Sequence, residues 1–277
     1  NELLVLVGES MGGWGFCFRE EDKTVIHASL EKKWTMKGGL AMPEAVVFDP
    51  GNNACYVSNY FNEGQEFISK VSPAGEIIEL EWIKGLRMPT GMIVKGNELY
   101  AVDRSGLNVI DIRKGAVTKT IPLPGLRMAN DVVMDKKGNL YVSDTAAGIV
   151  YRYSQGKLEP WLENLSRPNA LFCEKDRLLV GLNEKLIAVD LKSKAMQPLA
   201  VFERESNIDG IEAFGGGFLV GDHNGKLYRL TAQGGKTLLL DTSNPGEKIA
   251  DFAYAAKLKM LVIPTFDGNS LAAYAIE

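Results

Sequence analysis

One short phrase recurs six times along the chain: Glu44-Ala-Val-Val-Phe-Asp, Thr90-Gly-Met-Ile-Val-Lys, Asn130-Asp-Val-Val-Met-Asp, Asn169-Ala-Leu-Phe-Cys-Glu, Asp209-Gly-Ile-Glu-Ala-Phe and Asp251-Phe-Ala-Tyr-Ala-Ala. Each copy opens on a carboxylate, an amide or a hydroxyl and runs at once into an apolar stretch. The opening residues lie 46, 40, 39, 40 and 42 residues apart, a period in the range of radially repeated β-sheets.

The stretches between the copies share a grammar. An apolar strand is followed by a turn rich in Gly, Lys or Asn and a second strand, as in Glu98-Leu-Tyr-Ala-Val, Asn139-Leu-Tyr-Val-Ser and Gly217-Phe-Leu-Val-Gly. A polar loop, a third strand such as Ile149-Val-Tyr-Arg-Tyr and a more polar fourth strand close the unit. No helical periodicity intervenes. The expected fold is all-β: a six-bladed β-propeller with four antiparallel strands per blade. The last repeat stops after its third strand, and residues 28–34 stand ahead of Glu44 much as a fourth strand would. The ring is therefore expected to close by pairing N- and C-terminal strands in one blade, which removes an exposed sheet edge. Residues 28–277 form the propeller on this reading. Residues 1–27 are an extension with a hairpin of residues 3–7 and 15–18, turning at Gly12-Gly13.

In such a blade the start of the first strand and the loop between the second and third strands lie at the same end of the ring. The six opening residues thus become a column of oxygens around one mouth of the central channel. Around it should sit loops carrying Tyr60-Phe61-Asn62, Arg104-Ser105, Thr145, Asn183, His223-Asn224 and Thr265-Phe266-Asp267.

Glu44, Asn130, Asn169 and Asp209 stand out within the column. Two carboxylates and two amide carbonyls on one axis suit a hard cation with six to eight oxygen ligands, which is calcium chemistry; another divalent cation is the alternative. Only two histidines, His27 and His223, and three cysteines without C-x-x-C spacing are available for softer metals, and the cysteines are expected as free thiols. The plainer reading of strand-initial Asn and Asp is that they cap turns; the matched register of the set favours ligands. Thr90 is assigned to substrate contact, and Asp251 and Asp131 to carboxylates outside the ligand shell. Arg104, Arg127, Thr145, His223 and Phe266 are expected around the substrate. Arg87, Arg127 and Arg167 recur in the loops leading into three successive blades, either as a cationic arc for an acidic substrate or as interblade salt bridges.

A net charge of -4 and the lack of a long Lys/Arg cluster argue against nucleic acid and anionic membrane surfaces as partners. The apolar run of residues 3–7 is too short for a membrane span. The first residue is Asn rather than Met, which suggests processing and favours a soluble periplasmic or secreted protein. Oligomeric state is not encoded in any feature. Gly8-Glu-Ser10-Met-Gly12 matches the nucleophile elbow of α/β-hydrolases, but that elbow needs a helix after the serine and the sequence here continues as a strand.

Pro43-Glu44 ahead of Phe48-Asp49-Pro50, Asn130-Asp131 ahead of Gly138-Asn139-Leu-Tyr-Val-Ser-Asp144, Pro168-Asn169 and Asp209-Gly210 together resemble the gluconolactonase, senescence-marker-protein and luciferin-regenerating-enzyme family, over residues 28–277. The resemblance implies a six-bladed propeller whose channel binds a divalent ion, usually calcium, through Glu, two Asn and Asp on the first, third, fourth and fifth blades, where Glu44, Asn130, Asn169 and Asp209 fall. It implies a metal-dependent hydrolase of a small-molecule lactone or related ester, with Asp209 as general base or nucleophile and Asn130 helping to hold substrate. Two positions depart from the pattern: Ala45-Val46-Val47 follows the first Glu, and Met128 stands where an Arg commonly precedes the third-blade Asn. From a different class, a non-catalytic NHL-like propeller would bind a peptide, glycan or other ligand at the same mouth. A strictosidine-synthase-like relative would need an acid on another blade.

Overall fold

The computed structural model describes residues 5–10, 13–18, 25–27, 29–61, 63–64, 66–243 and 247–277, with backbone alone before residue 27. Leu3, Leu4, Gly12, Ala28 and Asn62 lie outside these. Six four-stranded antiparallel sheets form in sequence. Their innermost strands are Pro43–Asp49, Met92–Lys95, Ala129–Met134, Leu171–Glu174, Ile208–Phe214 and Ala253–Ala255. The described residues contain no α-helix, only a 3-10 turn at Ala256–Leu258. Among the described residues no helix is long and apolar enough to cross a membrane.

The sixth blade takes its outer strand from the other end of the sequence. Leu30–Lys37 pairs antiparallel with Ser270–Ile276, from Ser270 opposite Lys37 to Ile276 opposite Leu30. This is the closure expected from the repeat. Trp34 of that strand donates its indole N–H to the Pro73 carbonyl, 3.0 Å away, tying the sixth blade to a turn of the first. Val25–Ile26 adds a fifth strand to the blade of Ile208–Phe214, against Lys236–Asp241. Val5–Ser10 and Gly13–Phe18 pair as a separate two-stranded hairpin, so Ser10 leads into a strand.

The core lies between blades. Tyr56, Ile68 and Trp82 of the first blade pack with Leu99, Ala101 and Ile110 of the second, and comparable shared clusters follow around the ring. Alternation along each strand supplies an apolar residue to either neighbour, which is why both faces of the inner strands read as apolar runs. Two blades carry the same device: Tyr56 stacks on Trp82 and donates to Asp49, and Tyr141 meets Trp161 edge-on and donates to Asp135. Cys55 and Cys173 are free thiols, as expected.

A candidate site at the channel mouth

The column residues are held by irregularities in the inner strands. Pairing with the second strand slips between Pro43 and Ala45, between Ala129 and Val132, and between Ile208 and Gly210. Glu44, Asn130 and Asp209 sit in these bulges, which take a side chain out of regular alternation and re-aim it. A serine in the second strand stabilises two of them: Ser58 accepts the Ala45 amide at 2.9 Å and Ser143 the Asp131 amide at 3.0 Å.

Neighbouring blades are stitched at the same level. Gly91 N–H donates to the Asn130 carbonyl (2.7 Å), Ala170 N–H to that of Ile208 (3.2 Å) and Asp251 N–H to that of Glu44 (3.0 Å). The first of these demands glycine, because a Cβ at Gly91 would lie 2.5 Å from Asp131 Oδ1 and 2.6 Å from its Cα. Thr90-Gly91 and Asp209-Gly210 are thus pairs in which the first residue belongs to the column and the second lets the next blade approach.

A second ring fixes the loops that lead into the column. Asn59, Asp103, Asp144 and Asp222 end the second strands of four blades and accept the backbone amides of Ala41 (2.9 Å), Arg87 (2.9 Å), Arg127 (2.7 Å) and Asn207 (3.0 Å). Sequence reasoning did not assign this role, although the recurring strand ends Ser58-Asn59, Val102-Asp103, Ser143-Asp144 and Gly221-Asp222 are its visible trace.

Glu44, Thr90, Asn130, Asn169 and Asp209 are all buried. Asn169 Nδ2 donates to Asp209 Oδ1, and Asp209 Oδ2 lies 3.0 Å from His223 Nδ1. Three expected site residues are therefore joined in one contiguous chain. Burial followed by repulsion from Asp209 and Asp131 pushes the Glu44 carboxyl well above the usual carboxylate range. Asp251 is raised in the same way, by burial and then by Asp131, Asp209, Glu44 and Glu212. Burial lifts Asp131 to about 7 although its oxygens accept the Leu171 and Val132 amides, each at 2.6 Å. Asp131 is thus a strap between the third and fourth blades. Glu212, missed by sequence reasoning, is lifted to about 7 by burial and accepts the Tyr254 amide at 3.3 Å. A lone carboxylate inside Gly210-Ile-Glu212-Ala was the available signal. Burial opposes the charge of His223, yet Asp209 outweighs it and raises the imidazole pKa.

Two buried oxygens of the column have no hydrogen-bond partner: Glu44 Oε2 and Asn169 Oδ1. Orphaned acceptors among mutually repelling carboxylates are what a hard cation would satisfy, so the donor set fits a divalent ion of the calcium type. Among the described residues no three His, Cys, Asp or Glu side chains gather into a metal-binding group; the candidate set depends on its two amide oxygens.

The rim divides. His223 and Phe266 are neighbours, with ring centroids 5.7 Å apart, and Phe266 reaches Tyr60 at 5.8 Å. Thr145 donates its hydroxyl to the Pro168 carbonyl at 2.8 Å and serves the backbone. Thr90 lines a cavity of about 460 Å³ with Arg87, Arg104 and Arg127. Arg167 is not among that cavity's lining residues. Among the described residues Arg87, Arg127 and Arg167 make no ion pair, so the salt bridges entertained from their spacing do not form there.

Solved structures share this architecture. A gluconolactonase from Xanthomonas campestris superposes with a TM-score of 0.70 at 17% identity, covering 86% of this chain and 88% of that one. The calcium-binding protein regucalcin from Agrobacterium tumefaciens gives 0.67 at 17% identity, covering 86% and 91%. A streptogramin B lyase gives 0.69 at 12% identity, covering 90% and 97%. The fold is the one these proteins share. No protein-family model and no characterised sequence matches the chain.

Proposed function

We propose that the chain is a hydrolase of a small lactone or related ester, with a divalent cation of the calcium type held by Glu44, Asn130, Asn169 and Asp209. The observation that carries this reading is the pair of orphaned buried oxygens, Glu44 Oε2 and Asn169 Oδ1, beside carboxylates that burial and mutual repulsion destabilise. A bound cation would supply Lewis acidity at the substrate's carbonyl oxygen. Asp209 is the base: it takes a proton from the attacking water, and His223, 3.0 Å from Oδ2, holds the carboxylate in place. Asn169, donating to Oδ1, fixes the other oxygen. Asn130 contributes an amide to orient the substrate, and Tyr60, Phe266 and His223 form an aromatic lip above it.

The likeness to gluconolactonase and regucalcin supports this choice of chemistry, and the likeness to streptogramin B lyase supports a second reading. The same Asp209–His223 couple could remove a proton from carbon and open a ring by elimination. Hydrolysis in H₂¹⁸O labels the product acid, whereas elimination leaves it unlabelled.

The direct test combines melting curves with a lactone panel. EDTA should lower the melting temperature and calcium restore it, which corresponds to a stabilisation of about 2.7 kcal/mol at calcium 100 times Kd. Asp209→Asn should lose turnover by at least a hundredfold. Turnover equal to wild type in Asp209→Asn, or a melting curve indifferent to calcium in metal-stripped protein, overturns the assignment in favour of a binding propeller.

A further inference from the structure

The cavity beside the column has a composition of its own. Its cations are Arg87, Arg104 and Arg127, all exposed at the mouth. Its apolar wall is built from Met88, Met128, Leu123 and Leu126. Its floor reaches the column, because Thr90 and Ala129, the neighbour of Asn130, line it and are linked by a 3.3 Å hydrogen bond from the Thr90 hydroxyl to the Ala129 carbonyl.

Arg87 and Arg127 stand three residues ahead of Thr90 and Asn130, and Met88 and Met128 two residues ahead. The second and third blades thus repeat an Arg-Met pair at one register, and the two pairs converge on one cavity. Their backbones are pinned, since Asp103 accepts the Arg87 amide at 2.9 Å and Asp144 the Arg127 amide at 2.7 Å. Among the described residues Asp103 is the one acid lining the cavity, and its other oxygen is taken by the amides of Ser105 at 2.7 Å and Gly106 at 3.1 Å. It holds the loop and leaves the guanidinium groups without a carboxylate. Among the described residues Arg87, Arg104 and Arg127 make no ion pair.

Three guanidinium groups with no paired acid select an oxyanion. Methionine and leucine select an apolar body, and methionine adapts its shape to it. A polyhydroxylated ring would find donors here but few acceptors: among the described residues no side-chain amide lines the cavity, the Asp103 oxygens are taken by backbone amides, and the Thr90 hydroxyl donates to backbone, which leaves the Tyr60 hydroxyl. A site with few acceptors gains little from each added hydroxyl.

We infer that this cavity recognises an amphipathic anion, an apolar or aromatic body bearing a carboxylate, sulfonate or phosphate, and that the substrate opened at the column is an acidic apolar lactone or ester rather than a sugar lactone. The assignment of the ligand as substrate rests on the hydrolase reading; the binding preference does not.

The test reads binding without turnover. 8-Anilinonaphthalene-1-sulfonate and its neutral counterpart N-phenyl-1-naphthylamine are titrated by fluorescence into folded protein, with D-gluconate as a polyol carboxylate competitor. The sulfonate should bind at least tenfold tighter than the neutral probe, weaken as salt rises, and resist displacement by gluconate. Arg87→Gln/Arg127→Gln should erase the preference, Arg87→Lys/Arg127→Lys should retain part of it, and Met88→Ser/Met128→Ser should weaken both probes. Equal affinity for the two probes, a salt-independent preference, or displacement by gluconate at comparable concentration overturns the inference, and all three are read on wild type without recourse to variants. If the preference holds while no lactone is turned over, the hydrolase reading falls and the anion site stands; if lactones turn over without any preference, the reverse holds.

Discussion

At the scale of single residues, Glu44 shows how the site differs from its scaffold. The bulge between Pro43 and Ala45 turns it out of the strand's alternation, and it becomes a buried acid with one unpartnered oxygen and a raised pKa. Glu44→Gln removes a charge that the metal-free fold disfavours, at the cost of a cation ligand. The expected result is a metal-stripped variant melting at or above metal-stripped wild type, with the calcium-induced rise in melting temperature lost. A variant that still gains as much from calcium as wild type removes Glu44 from the ligand set. Sequence could nominate Glu44, Asn130, Asn169 and Asp209, because their shared register survives as spacing. The bond from Asn169 to Asp209 could not be read there, since it joins two blades whose meeting depends on the angle between sheets, and the 3.0 Å approach of His223, within the blade of Asp209, depends on how the loop after Gly217–Asp222 turns back over the inner strand.

Elements explain what was legible and what was not. Strand identity is local, written in alternation and in turn residues, so the blades appear in the sequence almost as they appear in space. Loop anchoring is non-local, and an aspartate at a strand end looks like any turn former. Asp144 illustrates the difference: it caps its own turn at Ala147 (3.0 Å) and also grips the Arg127 and Met128 amides (2.7 and 3.1 Å) from the loop ahead of Asn130. Asp144→Ala leaves these donors to find water in a partly closed turn. Buried or half-buried unpaired donors cost about 1–3 kcal/mol each, and partial rehydration brings the expected loss to roughly 2–3 kcal/mol. It should appear as a lower urea midpoint at unchanged m-value. Asp144→Asn, which keeps one acceptor, should lose less than half as much; an equal loss would show that hydrogen bonding to the loop is not the cause.

For the molecule as a whole, the buried acids of four inner strands and their flanks act together. Asp131 and Glu212 titrate near 7 in the fold against about 4 in an unfolded chain. Between those values the native state binds more protons than the unfolded state, so their contribution is complete below about pH 4 and is lost as pH rises through 7. His223, also raised, has the same sign. Metal-stripped protein should therefore lose at least about 5 °C of melting temperature between pH 5 and pH 8, and calcium should raise the melting temperature more at pH 8 than at pH 5. An equal calcium effect at both values would separate the acid cluster from the cation. The shut ring also has a consequence in time. Leu30–Lys37 waits for Ser270–Ile276, more than 230 residues downstream. At about 5–20 residues per second, synthesis leaves that strand unmatched for roughly ten to fifty seconds. The backbone pairing of Asp251 with Glu44 crosses the same seam, so it too must wait. The nascent chain carries the means to form the mouth long before it can form it, and any guardian of its open edge must work over that interval.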